Sequence, residues 1–246
     1  MCHHMTSASY EEIREGKIRG WIDIGVVRLL PPTFFEDPLT SMQAMGGEII
    51  KESTWRWAAL FPVASGERIF LKRDRTKGPL EYLKYLILPS KARKEWAIAT
   101  ELEKRNVRIP KPVGWMEKSS LGLVKESYYL SEARGSGLSA FDTPERLRVP
   151  SVIAQLARSA KAFHDAGLYH RDFHAGNFLW ENSSLALTDL HSASILGTVS
   201  LRRRLWNLTH LFHSVKAVWT EKEQREFLDA YFEGEACHLQ KNAEFL

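Results

Sequence analysis

The sequence predicts an α+β protein of two lobes, a small strand-rich first lobe over residues 1–133 and a compact helical second lobe over residues 134–246. Three observations carry that reading. Residues 48–74, with Trp55, Trp57, Ala59 and Phe61 at every second position, read as strands, and "VGWM" (113–116) and "LVKESYYLSEA" (123–133) suggest two more. Residues 151–167, 201–219 and 221–231 instead repeat apolar positions at helical spacing. Between these regimes lies "YYLSEARG" (128–135), which is expected to supply the hinge between the lobes.

Taken in order, a polar start leads to "GWIDIGVVRLL" (20–30), a short apolar segment closed by Pro31 and Pro32. In 48–74, Trp55, Trp57, Ala59 and Phe61 alternate with Arg56, Ala58 and Leu60. "ASGE" then turns the chain, with Gly66 free to take positive φ, and "RIFLKR" returns as the next strand. "RDRTKGPLEYLKYLILPS" (73–90) reads as a basic connector punctuated by Pro. Ser90 is suited to cap a helix running to about Arg105, with Ala92, Trp96, Ala99 and Leu102 on one face. Pro110 and Pro112 end that unit, and two strands follow around a polar turn. In the second half, Ile153, Leu156, Ala160 and Phe163 mark a helix with a Ser start, stopped by Gly167. "LALTDLH" (185–191) is a short strand ending in Asp189.

With 44% hydrophobic and 26% charged residues, the chain reads as an ordinary globular protein and not a disordered one. No apolar run reaches a membrane-spanning length, and the first residues lack the apolar core of a secretory signal. Cys2 and Cys237 are too few for a disulfide framework or a zinc site, so a cytoplasmic location is expected. The net charge of +4 and pI near 9.0 favour an anionic partner.

The chemistry concentrates in "YHRDFHAGNFLW" (169–180), where ionisable groups stand inside an apolar frame of Tyr169, Phe173, Phe178, Leu179 and Trp180. A loop here would present Asp172 and Asn177 side by side. Asn177 and Asp189 are hard oxygen ligands that suit Mg²⁺, which completes its shell with phosphates. Asp172 is then left to accept a hydroxyl proton. Upstream, Lys72 in the apolar strand "IFLK" supplies a cation for nucleotide phosphates, and Glu95 in the following helix can hold it.

That order of parts resembles a kinase. "HRDFHAGN" matches the catalytic loop H-R-D-x-x-x-x-N, "TDLH" resembles the metal-binding D-F-G segment, and "IFLK" resembles the V-A-I-K strand. The chain more closely resembles the lipopolysaccharide core kinases, the Kdo/heptose kinase family of Gram-negative bacteria. The resemblance runs through "IFLKR", "SKARKEWAIATELEKRNVRIPKPVGW", "HRDFHAGNFLW", "LTDLHSA" and "LRRRLWNLTHLFHS". It implies a two-lobed protein-kinase-like fold that uses ATP and Mg²⁺ to phosphorylate a sugar hydroxyl of the inner core. On the matching positions, Lys72 would contact phosphates and Glu95 would pair with it. Asp172 would be the base, flanked by Arg171 and His174 in the catalytic loop, and Asn177 and Asp189 would hold metal.

Two departures from the kinase pattern stand out. "KESTWRWAA" has no glycine, so Ser53 and Thr54 are expected to cover the phosphates with N–H groups and hydroxyls. "TDLH" lacks the final glycine. His174 stands where protein kinases usually place Lys, and "SASILGTVSLRRRL" (192–205) leads straight into a helix without an A-P-E-like segment. Both favour a sugar acceptor over a peptide. The basic residues of "KRDRTK" (72–77), Lys84, Lys91, Arg93, Lys94 and Arg202 to Arg204 suit an acidic glycolipid or core oligosaccharide. Such an acceptor brings peripheral contact with the cytoplasmic face of the inner membrane, and no nucleic acid is expected as a partner. Arg203 or Arg204 alternatively pairs with a carboxylate inside the helical lobe. Backbone groups from Glu132 to Arg134, and the Glu132 side chain, are expected to meet adenine. The competing readings are a small kinase of protein Ser/Thr, and a nucleotide-binding protein that kept the fold without turnover.

Overall fold

The computed structural model describes residues 9–138, 143–181 and 184–233, so Cys2 and Cys237 lie outside the described residues. The chain divides into one unit of Met1–Ala97 with Lys111–Ala133, and a second of Ile98–Pro110 with Arg134–Leu246. The segment 98–110, expected with the first lobe, groups with the second unit. Hydrogen bonds tie it there: Arg105 Nη1 donates to the Ala166 carbonyl at 2.7 Å, and the Leu187 N–H to that of Arg108 at 3.3 Å.

In the first unit the elements run β1 (Tyr10–Glu15), β2 (Ile18–Asp23), α1 (Ile24–Val27), α2 (Pro38–Ala44), β3 (Glu48–Glu52), β4 (Arg56–Pro62), β5 (Arg68–Arg75), α3 (Pro79–Ile87), the first half of α4 (Lys91–Lys104, whose residues from Ile98 on belong to the second unit), β6 (Pro112–Ser120) and β7 (Leu123–Glu132). The seven strands form one antiparallel sheet in the order β1-β2-β6-β7-β5-β4-β3. The β1–β2 hairpin comes from the supposed polar start. β1 is an edge strand that buries only Ile13, so its sequence carries no alternation to read. Gly16 turns it at φ +53°. Trp57, Phe61, Ile69, Leu71, Met116 and Leu130 of the sheet pack with Phe34, Phe35 and Met42 into a core. Trp55 stands exposed in the turn before β4 while Trp57 is buried, so the two do not share one environment. The stretch read as a connector contains a helix, α3. Gly78 precedes Pro79 at its first position, and no residue of α3 is buried.

The second unit holds β8 (Ser136–Gly137), α5 (Pro144–Leu147), α6 (Pro150–Asp165), β9 (Leu168–His170), β10 (Phe178–Glu181), β11 (Ser184–Leu187), β12 (Ala193–Ile195), α7 (Leu201–Val215) and α8 (Glu221–Tyr231). β8, β10 and β11 make one small antiparallel sheet, and β9 pairs with β12. α6 begins at Pro150, whose missing N–H costs nothing at a helix start, and Gly167 follows its end at φ +84°. Phe163 and Phe178 pack at 6.0 Å between centroids, and α8 is closed by a Thr220–Glu223 capping box. α7 stops at Val215, short of Trp219, whose indole N–H donates to the Leu147 carbonyl at 2.8 Å.

Where β2 meets β6, Gly114 lies opposite Ile22. A Cβ there would run into the Trp21 carbonyl oxygen and stand 2.8 Å from Ile22 Cα, both of them backbone. Gly114→Ala is therefore expected to lower stability by about 1–3 kcal/mol, seen as a depressed thermal midpoint. An unchanged midpoint would show that the two strands separate without cost.

Candidate active site

In the first unit Lys72 sits on β5 between Ala58 and Tyr129, so both neighbouring strands cover it. Its ammonium lies 2.5 Å from a Glu95 carboxylate oxygen, with both side chains nearly dry. Glu95 comes three residues after Ala92 and four before Ala99, placing it on the inward face of α4 with those buried alanines. Glu101, on the outer side of that helix, pairs instead with Arg105 at 2.9 Å.

In the second unit β9 delivers the loop and α7 holds it. His170 is wholly buried and uses both ring nitrogens. Nδ1 accepts from the Asp172 N–H and Nε2 donates to the Asp189 carbonyl, each at 3.1 Å. One neutral imidazole in a single tautomer thus sets the backbone at both carboxylate positions. Asn177 is buried, and its Nδ2 donates to the Asp172 carbonyl at 2.9 Å. The Thr188 N–H donates to the Asn177 carbonyl, also at 2.9 Å, bringing the Asp189 strand end beside the loop. Asp189 takes the left-handed conformation, φ +59° and ψ +43°, which Asp tolerates better than most residues.

Behind His170 runs a buried chain of hydrogen bonds. Tyr231 O–H donates to His164 Nδ1 at 2.7 Å. His164 Nε2–H donates to Asn207 Oδ1 at 3.1 Å, and Asn207 Nδ2–H to the His170 carbonyl. Asn207 Oδ1 also accepts from the His170 N–H at 3.3 Å. Phe173 stacks on His164 at 5.4 Å, and the Ala175 N–H donates to Ser214 Oγ at 3.0 Å. Asn207 and His164 are site residues that the motif comparison passes over. Their signal was a polar residue on an apolar helix face: Asn207 lies four before Leu211, and His164 four after Ala160.

Asp172 itself extends outward, its side chain 60% exposed, with His174 Nε2 at 3.7 Å. Arg171 is exposed and is tied only weakly by its backbone, its N–H 3.4 Å from the Ser192 carbonyl. Ser53 and Thr54 lie at the exposed β3–β4 turn, where Ser53 Oγ accepts from the Arg56 N–H and is thereby committed to closing the turn. Glu132 ends β7, but its N–H donates to the Lys111 carbonyl and the Ala133 N–H to that of Arg68. Neither donor is open to a base. Of the apolar frame, Phe173 and Phe178 are buried, whereas Tyr169, Leu179 and Trp180 are half-buried.

The predicted basic face is largely spent on internal pairing. Arg73 and Arg75 meet Glu126, Lys91 meets Glu81, and Arg204 meets Asp165 at 2.8 Å. Arg203 lies over the Tyr169 ring.

The donor set fits a hard divalent cation. With its amide nitrogen engaged, Asn177 keeps an amide oxygen without a hydrogen bond among the described residues. Asp189 adds a carboxylate whose Oδ1 is oriented by His191 Nδ1 at 2.6 Å.

Residues 42–231 match the model of the lipopolysaccharide kinase (Kdo/WaaP) family. The chain belongs to the lipopolysaccharide kinase (Kdo/WaaP) family. The lipopolysaccharide core heptose(I) kinase WaaP of Escherichia coli (strain K12) is 27% identical over 218 residues, covering 80% of this chain and 82% of that protein. A second Escherichia coli protein of the same name matches to the same extent. The solved structure "WaaP in complex with acyl carrier protein" shares the fold at a TM-score of 0.55 and 22% identity, over 88% of this chain and 97% of that one. As a member of this lipopolysaccharide kinase family the chain is a core sugar phosphotransferase that uses ATP.

Burial pushes the pKa of both His164 and His170 down to about 4. The unfolded chain, with histidines near 6.5, takes up about two more protons than this lipopolysaccharide kinase does between those values. Stability is therefore fully present above about pH 6.5. It falls as pH drops toward about 4, with a slope of about 2–3 kcal/mol per pH unit inside the window. Urea midpoints that decline from about pH 7 to about pH 5 are the expected result, and a flat profile would contradict neutral buried histidines.

Proposed function

We propose that this kinase transfers the γ-phosphoryl of ATP to a Kdo or heptose hydroxyl of the lipopolysaccharide inner core, with Mg²⁺ at Asn177 and Asp189. The observation that supports it most is the loop locked by His170, whose ring bonds the backbone of both Asp172 and Asp189 while the Asn177 amide bonds the Asp172 carbonyl. Asp172 accepts the proton of the sugar hydroxyl as its oxygen forms the new bond to phosphorus, and the bridging oxygen departs with ADP. Lys72, oriented by Glu95, neutralises the α- and β-phosphates, and Thr54 at the β3–β4 turn supplies polar cover. Asn177 and Asp189 would hold Mg²⁺, which when bound would offset the negative charge of the phosphate oxygens. His174, near Asp172, is placed to contact the transferring group or to steady the base.

A small acceptor suits the segment that follows Asp189. Residues 193–195 are consumed by pairing with β9, and α7 begins at Leu201, so little chain is left for a peptide platform. The acceptor is an acidic glycolipid, reached from the cytoplasmic face of the inner membrane. No helix among the described residues is long and apolar enough to cross a membrane.

Asp172→Asn preserves shape and removes the proton acceptor. It should fold normally, bind Mg·ATP with near wild-type affinity and lose kcat by about a hundredfold or more on core oligosaccharide. Wild-type turnover in that variant would end the mechanism. A melting temperature depressed without ligand would make Asp172 structural instead.

For the metal, Asp189→Ala should weaken Mg-dependent nucleotide binding more than Asn177→Ala, because it removes a charge. Unaltered Mg·ATP affinity in both would refute the ligand assignment. Lys72→Met leaves Glu95 buried without its cation, so besides slow transfer it should cost up to about 3–5 kcal/mol of stability. Full activity and full stability in Lys72→Met would refute the clamp.

A further inference from the structure

α3 and the residue after it display Leu80, Leu83, Leu86, Ile87 and Leu88 to solvent, with exposures of 84%, 59%, 59%, 88% and 51%. Five large aliphatic side chains in nine residues is unusual, because exposed apolar residues normally stand singly. The spacing 80, 83, 87, with 86 beside it, puts them on one helix face. The opposite face carries the anchors. Tyr82 and Tyr85 are half-buried, Lys125 lies over the Tyr82 ring at 4.2 Å, and Glu81 accepts from Tyr85, from the Lys77 N–H and from Lys91. The helix is held by its polar and aromatic side while its aliphatic side stays outward.

Charge selects the occupant. The only acid of α3 is turned inward onto Lys91, whereas Lys77 and Lys84 are exposed beside the leucines. An aliphatic ridge rimmed by cations matches the boundary of an anionic bilayer, where leucines enter the acyl region and lysines meet headgroups.

We infer that α3 is the membrane-docking element of this enzyme, lying in the interface of a bilayer that contains anionic phospholipid. The inference deepens the proposed function, on which it rests for the membrane-borne acceptor. The helix is too short to span, so the contact is peripheral and reversible.

The full chain, purified, is tested by co-sedimentation with vesicles of phosphatidylethanolamine and phosphatidylglycerol, and separately with phosphatidylcholine alone. Wild type should bind the anionic vesicles more strongly. The triple variant Leu80→Ser, Leu83→Ser, Ile87→Ser should lose at least about tenfold in vesicle affinity. Lys77→Ala with Lys84→Ala should reduce the preference for the anionic lipid. None of these residues is buried, so unchanged thermal midpoints are expected.

Phosphorylation of a delipidated, soluble core oligosaccharide should be unchanged in the triple variant, while turnover of vesicle-embedded lipopolysaccharide falls. Equal vesicle binding by wild type and the triple variant would overturn the inference. So would a wild type that ignores vesicles. A patch that instead supports a dimer, dispersed by the triple variant in sedimentation velocity without any change in vesicle binding, would overturn it as well. Vesicle binding lost as expected, with no transfer to soluble acceptor even by wild type, would leave docking standing and sink the kinase reading.

Discussion

One imidazole organises the second unit. His170 must be neutral with its proton on Nε2, because only that tautomer accepts the Asp172 N–H and donates to the Asp189 carbonyl together. Burial supplies the condition by disfavouring the charged ring, and the Asn207 side chain grips the same residue through both of its backbone polar groups. The left-handed backbone at Asp189 is sustained by this arrangement, since the histidine holds its carbonyl and His191 its carboxylate. Rigid support of this kind is what a reaction dominated by positioning needs. The Asp172 carboxylate stays in solvent, while His170 and Asn177, which hold its backbone, are buried.

The chain handles its charges by two different rules. Lys72 with Glu95, and Arg56 with the buried Asp74, are pairs taken largely out of water, where loss of either partner is expensive. The exposed pairs, such as Arg68 with Glu48, are screened and contribute little. A basic composition therefore overstates the cationic surface. Much of the positive charge near "KRDRTK" neutralises neighbouring carboxylates, while Lys77, just before α3, and Lys84, within it, remain exposed.

What could be read in advance follows from how local each feature is. The strands of 56–75 and 112–132, α4 with its Ser90 start, α6 and α8 each carry a period or a cap within their own residues. β1 was illegible because an edge strand with one buried side chain has no alternation, and α3 because its apolar spacing faces solvent inside a Pro-flanked basic run. The Lys72–Glu95 contact and the clustering of Asp172, Asn177 and Asp189 were legible only as an order of motifs. Ser53, offered as phosphate cover, proved to close its own turn, and the Glu132 N–H proved to belong to the sheet.

By itself, then, the sequence determined the α+β class, the family and the residue types available for phosphoryl transfer, because periodicity and motif order are written along the chain. Tertiary structure alone decided which polar residues stand behind the loop. Tyr231, His164 and Asn207 come from three separate helices, and only packing could make them one hydrogen-bonded line to His170. It also decided which charges are buried and which face water. Burial is a property of neighbours distant in sequence, and it is burial that sets the tautomer, the cost of an unpaired ion and the exposure of a leucine.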